Sequence, residues 1–109
     1  MKRGEIWTAA GGPDYGGKPR PVVIVQDDRF VDTRSVTVCA LTSLAVEAPL
    51  ARLAVAPSAA NGLHFPSHLM VDKLTTIPRS KLGRRLGRLA DEDMVQLDRA
   101  MAIFLGLAS

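Results

Sequence analysis

A loop that turns abruptly into a buried strand constrains this chain more than any other stretch. Gly16-Gly17-Lys18-Pro19-Arg20-Pro21 runs straight into Val22-Val23-Ile24-Val25. The glycines and prolines punctuate a turn. The four consecutive β-branched residues after it form a short apolar run, which reads as a core strand. Pro19 and Pro21 fix their own φ and push Lys18 and Arg20 towards extended backbone. Arg20 is therefore held on stiff chain at the mouth of a core strand. It serves there either as a surface arginine bonding a carbonyl or carboxylate, or as a fixed cation for a ligand.

A chain of 109 residues suits one domain, residues 1–109, and leaves little room for a second. With 47% hydrophobic and 23% charged residues it can bury a core, built mostly from Val, Leu, Ala and Met because aromatics are few. A formal charge of +3 and a pI near 9.5 lean mildly towards anionic partners. The single cysteine, Cys39, excludes a disulfide framework and a zinc cluster within the chain. It sits in an apolar strand pattern, as a small buried hydrophobe does. Met1-Lys2-Arg3 is basic, but no apolar segment follows to make a signal peptide, and no apolar run reaches the ~18 residues of a membrane helix.

Gly4 to Ala9 reads as a first strand, with Ile6 on one face and Glu5 and Trp7 on the other. The glycine-rich loop 11–17 follows, with Tyr15, the only tyrosine, near its tip. An aromatic flanked by glycines can serve as a base-stacking platform or fold back on the domain. A second strand spans about Arg20 to Gln26, and the polar turn 27–34 leads to a third, Ser35 to Leu41. The paired carboxylates Asp27-Asp28 have no third ligand at matching spacing and read as a solvated turn. If strands two and three form an antiparallel hairpin, the start of one lies beside the end of the other. Arg20 then falls opposite Leu41-Thr42-Ser43, within the residue that a bulge could shift. A guanidinium fork and two hydroxyls on one rim suit a phosphate.

Beyond an Ala/Pro-rich segment, Arg52 to Val55 reads as a short strand and Asn61-Gly62 as a turn. His64 and His68 stand four apart, but Pro66 between them opposes a helix, so they read as loop or edge residues rather than a metal pair. Either could carry a proton near the rim. His68 to Leu74 reads as a further strand with Asp72 and Lys73 at its end, and Pro78 to Leu82 as a helical turn. Five cations and no carboxylate stand between Arg79 and Arg88, either a solvated face or a surface for RNA or an acidic partner. Asp91-Glu92-Asp93 opens a last helix, and Met94, Leu97, Met101, Phe104 and Leu105 form its apolar stripe, for the core or a dimer contact. These elements make a mainly β domain, a small barrel finished by one C-terminal helix.

Taken in order, these residues resemble the MazF/PemK toxins. The resemblance is carried by Lys2-Arg3-Gly4-Glu5-Ile6-Trp7, Arg20-Pro21-Val22-Val23-Ile24-Val25, Asp28-Arg29-Phe30, Leu41-Thr42-Ser43, Val71-Asp72-Lys73-Leu74-Thr75-Thr76-Ile77, Gly87-Arg88-Leu89 and Leu105-Gly106-Leu107. It implies an SH3-like barrel of the CcdB/MazF/Kid type, a cytoplasmic bacterial toxin that forms a homodimer. It also implies a metal-independent endoribonuclease with no cofactor, cutting single-stranded RNA and blocked by an acidic antitoxin segment. The family's arginine and threonine fall on Arg20 and Thr42, as the catalytic pair. Tyr15, Lys18, Ser43, Asp72 and Lys73 are the expected RNA contacts.

The chain departs from the family in three places. Asp14-Tyr15-Gly16-Gly17 replaces the usual loop before the arginine, Met70 stands where some members carry a second catalytic arginine, and Thr75-Thr76 stands where many have Arg-Thr. The general acid and base are therefore left unassigned. Two other classes compete with a nuclease: a CcdB-like gyrase-poisoning toxin and a non-catalytic RNA-binding barrel. The first expects a Trp-Gly-Ile chain end, whereas this chain ends Gly106-Leu107-Ala108-Ser109.

Overall fold

A computed structural model of the chain describes residues 1–11, 18–44 and 51–109. Seven strands and one helix follow in order: β1 (Glu5–Ala9), β2 (Arg20–Ile24), β3 (Ser35–Thr42), β4 (Arg52–Val55), β5 (Ser67–Met70), β6 (Thr75–Pro78), β7 (Leu82–Arg88) and α1 (Asp91–Phe104). The strands hydrogen-bond in the order β4-β5-β3-β2-β1-β7, with β6 on β3, and each pairing is antiparallel. β3 is the hub. Its first half pairs with β6 and its last two residues with β5, so the sheet bends around it into a small SH3-like barrel. Among the described residues, β4 and β7 end the path and do not pair with each other.

The apolar run of β2 is continuous because both of its faces are covered. Val23 and Val25 join Ile6, Cys39, Leu41, Leu69 and Val71 in one core, closed by Met94, Leu97 and Ala100 of α1. Val22 and Ile24 join Val36, Val38 and Ala9 in a second core on the opposite face, against Trp7, Ile77 and Leu82. Strand alternation sends neighbours to opposite faces, so β2 and β3 each feed both cores. Arg3 fastens the amino terminus across this assembly. Its Nε donates to the Val25 carbonyl at 2.9 Å, and its guanidinium pairs with Asp98 on α1.

The structure corrects some of these expectations and bears out others. The strand expected over 68–74 stops at Met70, because Val71–Lys73 winds into a 3-10 turn. The helical turn expected at 78–82 is a 3-10 turn at Arg79–Lys81, and strands flank it on both sides. These two strands, β6 with its two threonines and β7 with its three arginines and two glycines, lack a clean apolar alternation, which edge positions accept and periodicity does not reveal. On α1, Met94, Leu97 and Ala100 are buried and Met101 partly so, whereas Phe104 and Leu105 project from the domain at 49% and 57% exposure.

Candidate functional site

Arg20 opens β2 and Thr42 closes β3. The β2–β3 ladder sets Val22 opposite Ala40, Val23 opposite Cys39 and Ile24 opposite Val38. Continued two residues further, that register brings Arg20 to Thr42, the middle of the three positions expected. Both side chains line one cavity of about 300 Å³, together with Lys73, Ala9, Ala40 and Met70. The backbone N–H of Leu44 donates to Thr42 Oγ1 at 3.2 Å. With that lone pair occupied, the hydroxyl proton remains available to a group in the cavity.

Lys73 reaches this wall from the 3-10 turn, and its neighbour Asp72 holds the turn in place. Nε and Nη2 of Arg52 donate to the two Asp72 oxygens at 2.8 and 3.2 Å. The Arg52 fork keeps the Asp72 carboxyl below its ordinary pKa. Asp72 lines neither this cavity nor the one beside it. Lys18 is exposed two residues before Arg20 and also lies off both linings. Tyr15 lies outside the described residues.

Arg20 is also a wall of a second cavity, of about 270 Å³, lined in addition by Ser43, His64, Phe65 and Arg84. The two histidines thus separate. His64 is exposed on the loop at the second cavity, whereas His68 lies on β5 opposite Thr42, half-buried, with its Nδ1 enclosed and, among the described residues, without a hydrogen-bond partner. Cys39 is buried beneath the rim, and burial pushes its thiol up to about 12, so it stays a packed hydrophobe.

The basic run of 79–88 divides into two groups. Arg79 donates to the backbone carbonyls of Thr33 and Val31, Arg85 pairs with Glu5 at 3.2 Å, and Arg88 approaches Asp91 at 3.7 Å. Among the described residues, the side chains of Lys81 and Arg84 make no hydrogen bond or ion pair. Neither Phe65 nor the particular place of Arg84 stood out in the sequence. The only signal was an aromatic-proline pair just after the Asn61-Gly62 turn.

The first cavity combines a planar fork of donors, a hydroxyl donor and an ammonium around a space a phosphate group fits. Fixed donors of this kind stabilise charge that develops on a reacting phosphorus. Apart from Thr75, the rest of the described lining is apolar or glycine, which strengthens their field.

Comparison with known proteins agrees along the whole length. The family model described as PemK-like, MazF-like toxin of type II toxin-antitoxin system matches residues 2–105. The chain is 56% identical over 108 residues to a probable endoribonuclease MazF of Mycolicibacterium smegmatis, covering 99% of each. It is 30% identical to endoribonuclease EndoA of Bacillus subtilis, covering 98% of this chain and 96% of that protein. Among solved structures, the toxin MazF-mt6 of Mycobacterium tuberculosis superposes with a TM-score of 0.80 at 29% identity, over 96% of this chain and 99% of the other. A mycobacterial endoribonuclease in complex with its cognate antitoxin gives a TM-score of 0.80 at 25% identity, over 100% and 98%.

Proposed function

The chain belongs to the PemK/MazF family of type II toxins, and from that premise we propose that it cuts single-stranded RNA with Arg20 and Thr42 as its catalytic pair. It is an endoribonuclease of a toxin–antitoxin system. The supporting observation is that Arg20 and Thr42 end neighbouring strands and line one cavity with Lys73.

In the reaction we propose, the RNA 2′ oxygen attacks the adjacent phosphorus. The O2′–P bond forms and the P–O5′ bond breaks. The 2′ oxygen loses its proton and the leaving 5′ oxygen gains one, giving a 2′,3′-cyclic phosphate and a 5′-OH end. Arg20 neutralises charge on the non-bridging oxygens of the crowded phosphorus. Thr42 donates its hydroxyl proton to a phosphate oxygen or orients the 2′-OH. Lys73, Ser43, Lys18 and Tyr15 contact the strand, and Asp72 serves RNA binding by holding the turn that carries Lys73. No metal is required in this scheme.

The partners follow from the same reading. An acidic antitoxin segment covers the basic rim, the active form is a homodimer, and the protein works in the cytoplasm. Among the described residues no helix is long and apolar enough to cross a membrane. The gyrase-poison and binding-barrel readings are not favoured, since the full-length relatives are endoribonucleases.

The test is incubation of the purified protein with a mixed-sequence RNA in EDTA, with mapping of the ends. Discrete cuts with cyclic-phosphate ends are expected. Arg20→Ala should lower the rate by roughly 10²–10³-fold or more, the size seen when one charge-stabilising donor is lost. Thr42→Ala should also lose activity, with both variants folded by circular dichroism. Cutting that survives Arg20→Ala would overturn the assigned site, and intact RNA with folded wild type would overturn the nuclease.

A further inference from the structure

Beyond Arg20 and Ser43, the lining of the second cavity has no part in the reaction proposed above, yet it shares the Arg20 wall with the first cavity. A strand held at Arg20 by its scissile phosphate therefore has a neighbouring nucleotide at the mouth of the second cavity. We propose that this cavity is a nucleotide subsite, in which a base beside the cut stacks on Phe65 while Arg84 holds a flanking phosphate. The proposal rests on the RNA-cleaving reading and adds residues that set where the enzyme cuts.

Phe65 is 68% exposed. Its loop is fastened from both sides. Asn61 is buried, its Oδ1 accepts from the Ser58 and Leu63 amides at 2.9 and 3.0 Å, and its Nδ2 donates to the Ala56 carbonyl at 2.8 Å. Ser67 Oγ donates to the carbonyl of Phe65 itself at 2.9 Å, and Pro66 stiffens the link between them. The aromatic ring is thus presented on ordered backbone, so a ligand need not pay again for ordering the loop. Phe30, also exposed, has the Arg29 guanidinium 5.9 Å from its ring centroid. Phe65 has no such cover among the described residues.

Arg84 supplies the second half of the recognition. Its backbone N–H donates to Thr8 Oγ1 at 3.0 Å where the β1–β7 ladder shifts register, which fixes the residue at the cavity wall. Among the described residues its side chain has no hydrogen bond or ion pair, whereas Arg79, Arg85 and Arg88 are engaged with carbonyls or carboxylates. The described lining carries two arginines and no carboxylate. An anionic group joined to a flat π face is what this combination binds, and a nucleotide is that ligand. A second copy of this chain, itself at +3, is the poorer electrostatic match.

Cleavage sites on a mixed-sequence single-stranded RNA should be mapped for wild type, Phe65→Ala, Phe65→Trp, Arg84→Gln and the distant control Phe30→Ala, with the mass of each in solution. Phe65→Ala is expected to lower kcat/KM about tenfold and to flatten base preference at one position beside the cut. Phe65→Trp should retain both rate and preference, and Phe30→Ala should behave as wild type. Arg84→Gln should slow all sites alike and reduce the salt dependence by about one counterion. Wild-type rates and preferences in Phe65→Ala overturn the subsite, and so does a loss that tracks a changed subunit mass. Binding of a fluorescein-labelled 2′-O-methyl oligonucleotide pool separates this inference from the nuclease itself. Wild type that binds the pool through Phe65 without cutting unmethylated RNA keeps the subsite and removes the nuclease. Equal binding by wild type and Phe65→Ala, or none by either, removes the subsite whatever the cleavage result.

Discussion

Single residues divide here between those that hold the rim and those that face a ligand. Asp72, one of the expected RNA contacts, also helps to hold the rim. Its carboxylate is bound by the Arg52 fork, with Arg52 9% and Asp72 34% exposed. We expect Asp72→Asn to lower stability at pH 7 by about 1 kcal/mol, the size of a partly screened charged hydrogen bond. For a domain of this length that is a fall in Tm of roughly 4–8 °C. The sign of the pH dependence follows from the lowered pKa. The stabilisation is full above the unfolded carboxylate value of about 3.9 and is lost as pH falls through the lower folded value. Thermal melts from pH 6 down to pH 2 should therefore show the gap between wild type and Asp72→Asn closing at the acid end. A gap that persists to pH 2 would show that Asp72 acts by something other than its charge. Arg20 was legible in the sequence because two prolines isolate it. The Arg52–Asp72 pair was not, because the partners lie twenty positions apart and only the β4–β5 pairing brings them together.

At the scale of elements, the turn before Phe65 lies flat on β7, and glycine makes that contact possible. Gly62 has φ +70°, and a Cβ there would sit 2.1 Å from the Leu86 carbonyl oxygen. A Cβ at Gly87 would likewise meet the Ala60 carbonyl at 2.3 Å, where the Arg88 N–H donates to that same carbonyl at 2.9 Å. Gly62→Ala combines a left-handed backbone cost with a backbone clash, so we expect a loss of ~2–4 kcal/mol in denaturant melts. A variant as stable as wild type would show that the turn can move off the strand. The Asn61-Gly62 turn itself was readable from the sequence. The strand beneath it was not, since Leu82–Arg88 offers no clean alternation and its charges suit an edge.

For the whole molecule, one run of uncovered apolar side chains among the described residues lies at the end of α1. Ile103, Phe104, Leu105 and Leu107 are exposed at 36%, 49%, 57% and 79%. The stripe that begins in the core at Met94 and Leu97 thus runs on past the edge of the domain. Apolar side chains clustered in this way mark an association surface. We expect a solution mass near twice the 11.7 kDa of one chain, and a shift towards one chain in Leu105→Glu. Sedimentation equilibrium at micromolar concentration measures both. An unchanged dimer in Leu105→Glu would place the interface elsewhere on the barrel.

The core strand β2, the closing helix and the junction at which Arg20 stands could all be read from the residues alone. These are local matters: β-branched runs, proline geometry and helical periodicity act within a few residues of chain. The sequence also brought Arg20 to within a residue of Thr42, because a hairpin couples two strands through a short turn. Only the tertiary structure decided which basic residues stay available, since Arg79, Arg85 and Arg88 meet their partners through strand pairing, turn packing and the start of α1. It alone joined Arg20, Phe65 and Arg84 around one cavity. Those residues come from β2, the loop before β5, and β7, and their meeting depends on how the sheet curls around β3.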